Sequence, residues 1–218
     1  MSISSLNTIP PAPPVIPEFK HINRYWDKRM KMHAAKILPG ECYVSAHGEM
    51  IATVLGSCIS ACIRDTKVGV GGMNHFMLPI QHEGHSITRL SSTNSDLCYG
   101  NWAMEYLINA ILKQGGSRKN LEVKLFGGGR VLEGMSKIDV GKRNIEFVLD
   151  YIKRDGLHIV AKDLGSDHPR KVLFFPDTGS VKMKRLHTVE NRTVEIREKA
   201  YLESMEKKGT ESGDIELF

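Results

Sequence analysis

The strongest constraint on the fold is how short the apolar segments are. Glu41–His47, Glu49–Leu55, Leu121–Phe126, Leu157–Ala161, Lys171–Phe175 and Ser180–Met183 are each the length of one strand. Gly, Pro or Asp turn residues bound them. Two stretches keep helical spacing instead. In the first, Tyr99, Ala103, Tyr106, Leu107, Ala110 and Ile111 follow a run of Ser, Thr and Asn caps from Ser92 and stop at Gly115-Gly116. In the second, Ile145, Val148, Leu149 and Ile152 follow a cap at Asp139 and stop at Gly156. Many short strands and two helices define an α+β chain, not a doubly wound α/β sheet.

The 218 residues are 41% apolar and 25% charged, which excludes a collagenous, coiled-coil or wholly disordered chain. The sequence has neither a bilayer-length apolar run nor a signal-peptide pattern at its N-terminus, so a cytoplasmic protein without membrane insertion is expected. Five prolines between Pro10 and Pro17 favour an extended arm, and Arg24, Lys28, Arg29, Lys31 and Lys36 follow among aromatic residues and methionines. Residues 1–39 are therefore read as a Pro-rich, basic arm, 40–187 as the folded domain and 188–218 as a polar tail with a frayed helix. Residues 1–40 carry six basic and two acidic side chains, so most of the net charge of +5 sits in the arm, and its deletion is expected to spare turnover.

Cysteine spacing narrows the chemistry. Cys42, Cys58, Cys62 and Cys98 suit neither a disulfide framework nor a zinc knuckle, and Gln81-His-Glu-Gly-His85 reads as a polar loop. No metal or cofactor is expected. Gly127–Gly129 lacks the Gly-Lys-Ser/Thr ending of a phosphate loop. The informative stretch is Thr53-Val-Leu-Gly-Ser-Cys58 followed by Gly71-Gly-Met-Asn-His75. If Cys58–Arg64 and Gly71–Leu78 form a hairpin centred between Thr66 and Lys67, Cys58 lies opposite His75 on one face. The rival reading starts a helix at Ser57, whose N-terminus would activate the thiol. Either way, Gly56-Ser57 suits a tight turn that frees backbone N–H groups for an oxyanion. A thiol needs a base, and a base needs an orienting group, for which Thr53 is nearest in sequence. The competing account buries Cys58 as a small apolar residue and His75 as a satisfied core histidine.

These segments, together with Phe76-Met-Leu-Pro79, Lys124-Leu-Phe-Gly-Gly128, Gly141-x-x-Asn144 and the strand from Lys171, closely resemble the CheD family of chemoreceptor glutamine deamidases. The likeness covers about residues 40 to 185. It implies a cysteine nucleophile at Cys58, a histidine acid/base at His75 and a threonine at Thr53. It also implies hydrolysis of receptor glutamines to glutamate, a protein-glutamine glutaminase activity, and in some members ester hydrolysis. The fold it implies is a β-rich sandwich with helices outside, like the catalytic domain of deamidating cytotoxic necrotising toxins. Chemoreceptor cytoplasmic domains and a CheC-like phosphatase are the implied partners. Asp163-Leu-Gly-Ser-Asp-His-Pro-Arg170 departs from the family's Asp-x-Gly-Gly-x-x-Gly-Arg pattern. A second reading makes the chain chiefly a binding module for such a phosphatase or for receptors. A third, nucleic-acid binding by the basic arm, has no accompanying motif, and no nucleic acid is expected.

Overall fold

The computed structural model describes the backbone of residues 9–78, 92–131, 139–186 and 191–211, and their side chains except 92–98, 191–192 and 206–211. The Gln81–His85 loop, the Cys98 side chain and the polar onset at Thr188 lie outside the described residues. The strands are β1 Asn23–Asp27, β2 Met32–Lys36, β3 Cys42–Ser45, β4 Met50–Leu55, β5 Ile59–Asp65, β6 Gly71–Asn74, β7 Leu121–Gly127, β8 His158–Leu164, β9 Arg170–Phe175 and β10 Ser180–Arg185. The helices are α1 Ser92–Lys113, α2 Val140–Arg154 and α3 Asn191–Glu211. The α+β expectation holds, with two mixed five-stranded sheets, ordered β1-β2-β4-β9-β10 and β3-β6-β5-β7-β8. Each sheet contains one parallel pair, β2 with β4 and β7 with β8. Among the described residues no helix is long and apolar enough to cross a membrane.

The second sheet is the middle layer. One face of its β6 segment meets helices: Asn74 Nδ2 donates to the Ala103 carbonyl of α1 at 3.1 Å, and Phe76 meets Phe147 of α2 edge-on. The alternate residue, His75, points the other way and reaches Thr53 on β4 of the first sheet. The period-2 alternation of a strand thus sends neighbouring side chains into different layers. Both expected helix signals act as read. Asp139 caps α2 by accepting from the Lys142 N–H at 3.0 Å, and Gly156 follows it with φ +66°. The turn at Gly48 joins β3 and β4, which belong to different sheets, so it carries the chain between layers.

Three expectations need correction. The polar tail read from residue 188 is not outside the domain: α3 buries Val194, Glu198 and Leu202 against it, one face of the helix being apolar enough to pack. Residues 23–36, read as part of an appendage, are built into the first sheet as β1 and β2, with β2 on β4 in the register Ala34↔Met50 to Lys36↔Ala52. The cause is local: Ala34 and Ala35 are buried against the core, and Arg24 donates to the buried Glu49 at 2.7 Å, a carboxylate also held by the Tyr43 hydroxyl at 2.6 Å. The hairpin register is also displaced by two residues. Cys62 pairs with Met73 and Ile59 with Phe76, which sets Ser60, not Cys58, opposite His75. The Asp65 carboxylate accepts from the Lys67 and Val68 N–H groups and draws out a longer turn closed by Asp65 N–H to the Val70 carbonyl. A displacement of two keeps the parity, so Cys58 and His75 still share a face. No helix starts at Ser57; Cys58 is the residue before β5.

Candidate active site

The site is assembled at the mouth of β5. Gly56, Ser57 and Cys58 link β4 to β5, and every carbonyl of this link is held from behind. Gly56 O accepts from Gly129 N–H at 2.7 Å, Cys58 O from Gly128 N–H at 2.8 Å, and Ser57 O from Asn144 Nδ2 at 2.8 Å. Asn144 is fixed in turn by accepting from Leu78 N–H at 2.9 Å. With its carbonyls turned one way, the link turns its N–H groups the other way, where three of them converge.

The glycines that follow β7 make this possible. Gly127 has φ +116° and Gly128 φ +68°, in the left-handed region. A Cβ on Gly127 would sit 2.0 Å from the Cys58 carbonyl oxygen. Behind them Arg170, fully buried, donates to the Gly127 carbonyl at 3.1 Å and the Asp163 carbonyl at 2.5 Å, bonds the Gly165 carbonyl, and pairs with the Asp163 carboxylate at 2.7 Å. The departure at Ser166 and Pro169 therefore falls in a loop whose base Arg170 clamps; Ser166 itself takes φ +71°, and its carbonyl accepts from Arg130 N–H.

Thr53, Cys58 and His75 are brought together, and all three are buried. The Thr53 hydroxyl donates to the Ile37 carbonyl at 2.9 Å and lies 2.8 Å from His75 Nδ1. A hydroxyl has one proton, so its bond to Ile37 leaves it to accept from Nδ1–H, which assigns the imidazole tautomer from the network. His75 Nε2 is then the nitrogen left bare, and it has no hydrogen-bond partner among the described residues. The Cys58 sulfur, a His75 ring nitrogen and a carboxylate oxygen of Glu198 all lie within 4.8 Å of one another.

Glu198, on α3, was not singled out from the sequence. Its carboxylate takes four donors: Oε1 accepts from Gly56 N–H (2.8 Å) and Cys58 N–H (3.2 Å), and Oε2 accepts from Ser57 N–H (2.9 Å) and Ser57 Oγ (2.6 Å). Cys58, His75 and Glu198 have the donor types of a metal site. Yet the four hydrogen bonds use the four lone-pair directions of the carboxylate, so the arrangement is a filled anion cradle, not an open coordination sphere. Burial, then the Glu198 charge and hydrogen bond, push the Cys58 thiol well above its ordinary range. Burial lowers His75 to about 3. The pair is therefore neutral thiol and neutral imidazole, the thiol through burial and the Glu198 charge, the imidazole through burial alone. Of the other cysteines, Cys62 is buried among core residues and Cys42 half-buried; burial pushes both thiols up, Cys42 to about 12. Trp102 is exposed and stacks on Tyr106 beside a cleft of about 190 Å³ that reaches His75.

Signals for the missed parts differ. Val194, Glu198, Leu202 and Met205 follow the stripe spacing of a buried helix face, with one carboxylate where a hydrophobe is expected. The glycine run announces a close backbone approach, but not to which backbone.

Comparison with known proteins agrees with the sequence resemblance. Residues 77–185 match the family model described as CheD chemotactic sensory transduction. A protein of Saccharophagus degradans named "Probable chemoreceptor glutamine deamidase CheD" is 56% identical over 205 residues, 94% of each chain. Relatives with the same name in Halorhodospira halophila and Hahella chejuensis are 52% and 47% identical. The former alignment covers 94% of each chain, the latter 99% of this chain and all of the relative.

Proposed function

Since the chain belongs to the CheD family, we propose that it is a chemoreceptor glutamine deamidase, with Cys58 as nucleophile and His75 as acid/base. The observation that carries this reading is the convergence of the Gly56 and Cys58 N–H groups on one oxygen position, with Ser57 N–H on the oxygen beside it, next to the Cys58 sulfur and the His75 ring. Backbone donors fixed in advance stabilise the charge that develops on a carbonyl oxygen under attack. Cys58 gives its proton to His75 Nε2 and attacks the glutamine carboxamide carbon. The oxyanion forms between the N–H groups of Gly56 and Cys58, where Glu198 Oε1 lies. His75 returns the proton to the nitrogen, the C–N bond breaks and ammonia leaves a thioester. Water, deprotonated by His75, then releases glutamate and the thiol. Thr53 holds the imidazole through Nδ1, so Nε2 faces the chemistry throughout.

The substrate in this reading is a glutamine of a chemoreceptor cytoplasmic domain, which puts the enzyme in the cytoplasm. A CheC-like phosphatase is the further partner on the family's pattern, and likeness to the deamidating toxin domains belongs to the same reading. A purified receptor fragment, followed by mass spectrometry for amide-to-acid conversion, tests the activity. Conversion is expected with the wild-type chain and not with Cys58→Ala or His75→Ala. Full conversion by Cys58→Ala would remove the nucleophile assignment. Co-purification of the phosphatase that survives Cys58→Ala tests the partner.

A further inference from the structure

The carboxylate in the cradle belongs to the chain itself. Glu198 is 1% exposed, and its side chain is chemically the product of the proposed reaction: a glutamate carboxylate lying in the donors that would hold the reacting carbonyl. The helix around it seats like a ligand. Val194, four residues before, and Leu202, four after, are both buried, and the Tyr201 hydroxyl reaches that of Tyr99. Tyr201 also covers Gly40, where a Cβ would lie 2.7 Å from its hydroxyl. Val194, Arg197 and Glu198 line a cleft with Ile37, Thr53 and His75. His75 lines the separate cleft under Trp102 as well, so the imidazole is the residue common to both.

Resting on the deamidase reading, we propose that α3 fills the substrate groove as a tethered product analogue. Glu198 holds the place of the product carboxylate. The external occupant is a glutamine presented on an α-helix, with apolar side chains four residues to either side, and it must displace α3. Oε2 faces two donors of Ser57, and a carboxamide nitrogen there would point its own protons at the Ser57 N–H. The cradle thus holds a carboxylate better than a carboxamide, as suits a stop that is itself never converted. The thiol, held neutral by burial and by this carboxylate, is quiet until α3 leaves.

Replacing the product by the substrate tests this in the full-length chain. In Glu198→Gln the introduced carboxamide is a tethered substrate. Cys58 attacks its carbonyl carbon, ammonia leaves with a proton from His75, and water hydrolyses the thioester, restoring glutamate at that position. Peptide mass spectrometry is expected to show the mass of the acid appearing at position 198 at a rate independent of protein concentration. If water is slow to enter, the internal thioester accumulates with loss of ammonia, which supports the proposal equally. Neither product should form when Cys58→Ala is added. A carboxamide that persists while the same sample converts a receptor fragment overturns the proposal. If neither wild type nor variant converts the fragment or itself, the deamidase reading falls and takes this inference with it. The second arm is Glu198→Ala. Tethered groups act at effective concentrations around millimolar, so its removal should lower KM for the receptor fragment by about tenfold or more. An unchanged KM counts against the displaced-helix account.

Discussion

Thr53→Val isolates how the imidazole is held. Valine keeps the shape of threonine and replaces the hydroxyl by a methyl group, in a side chain that is 2% exposed. The His75 Nδ1–H then loses its acceptor at 2.8 Å, and the Ile37 carbonyl loses its donor at 2.9 Å. A buried polar group left without a partner costs about 1–3 kcal/mol. Folding should therefore weaken by roughly 2–6 kcal/mol, of which the Ile37 part is purely structural. The His75 part bears on the rate. A ring no longer held at Nδ1 can rotate or carry its proton on Nε2, where it blocks proton uptake from Cys58. If recovering the working orientation costs the same 1–3 kcal/mol, kcat falls about 5- to 150-fold. The assay is the receptor-fragment time course at saturating substrate, beside urea melts of both proteins. Thr53→Ser retains the hydroxyl and should recover most of kcat. Wild-type kcat in a folded Thr53→Val would refute the reasoning, because it would show that Nδ1 needs no acceptor.

Four other predictions follow from the same geometry. Gly127→Ala forces a Cβ to 2.0 Å from the Cys58 carbonyl at φ +116°; left-handed strain alone costs about 1–2 kcal/mol, so a thermal melt should show a larger loss, with Cys58 displaced and turnover down. Asn144→Leu removes the bonds to Ser57 O and Leu78 N–H and should cost about 2–6 kcal/mol in urea, with kcat falling because the Gly56–Cys58 link is no longer held in place. His75 falls from the ordinary 6.5 to about 3 on folding, so the unfolded chain takes up a proton first: the stability it gives is whole above about pH 6.5 and drains as pH falls toward 3. By pH 5 that loss is about 2 kcal/mol, and His75→Leu should lose correspondingly less between pH 7.5 and 5 in urea melts. Deleting residues 1–40 removes β1 and β2 from the edge of β4, so the truncated chain should lose its cooperative melt; an intact melt would show that β4 holds Thr53 without them.

Helices α1 and α2 and most strands were legible because their signals are local: a period, a cap, a glycine stop. The parity of Cys58 and His75 was legible too, since a register displaced by two residues leaves faces unchanged. The displacement itself came from the Asp65 side chain, whose bonds to Lys67, Val68 and Ser117 no pattern of hydrophobicity encodes. Charge misled at β1 and β2. Arg24 looks like part of a solvated basic run until Glu49, 25 residues on, is seen to receive it. Thr53, Cys58, His75, Gly56 and Ser57 sit within a short stretch and could be read as one group. Asn144, Arg170 and Glu198 act through backbone atoms far along the chain, which sequence spacing does not reveal.

The pinned carbonyls of Gly56–Cys58 also have a meaning in time. The anchor of Ser57 lies 87 residues downstream, at Asn144, and those of Gly56 and Cys58 are at Gly129 and Gly128. A chain synthesised from its N-terminus exposes Cys58 long before it owns these anchors. Through that interval the link has no fixed direction for its N–H groups, and the cysteine is an ordinary one. Reactive geometry arrives only when β7 and α2 have docked, so the maturation of the site is tied to completion of the middle layer. The link around Cys58 therefore takes its final shape only on a nearly finished chain.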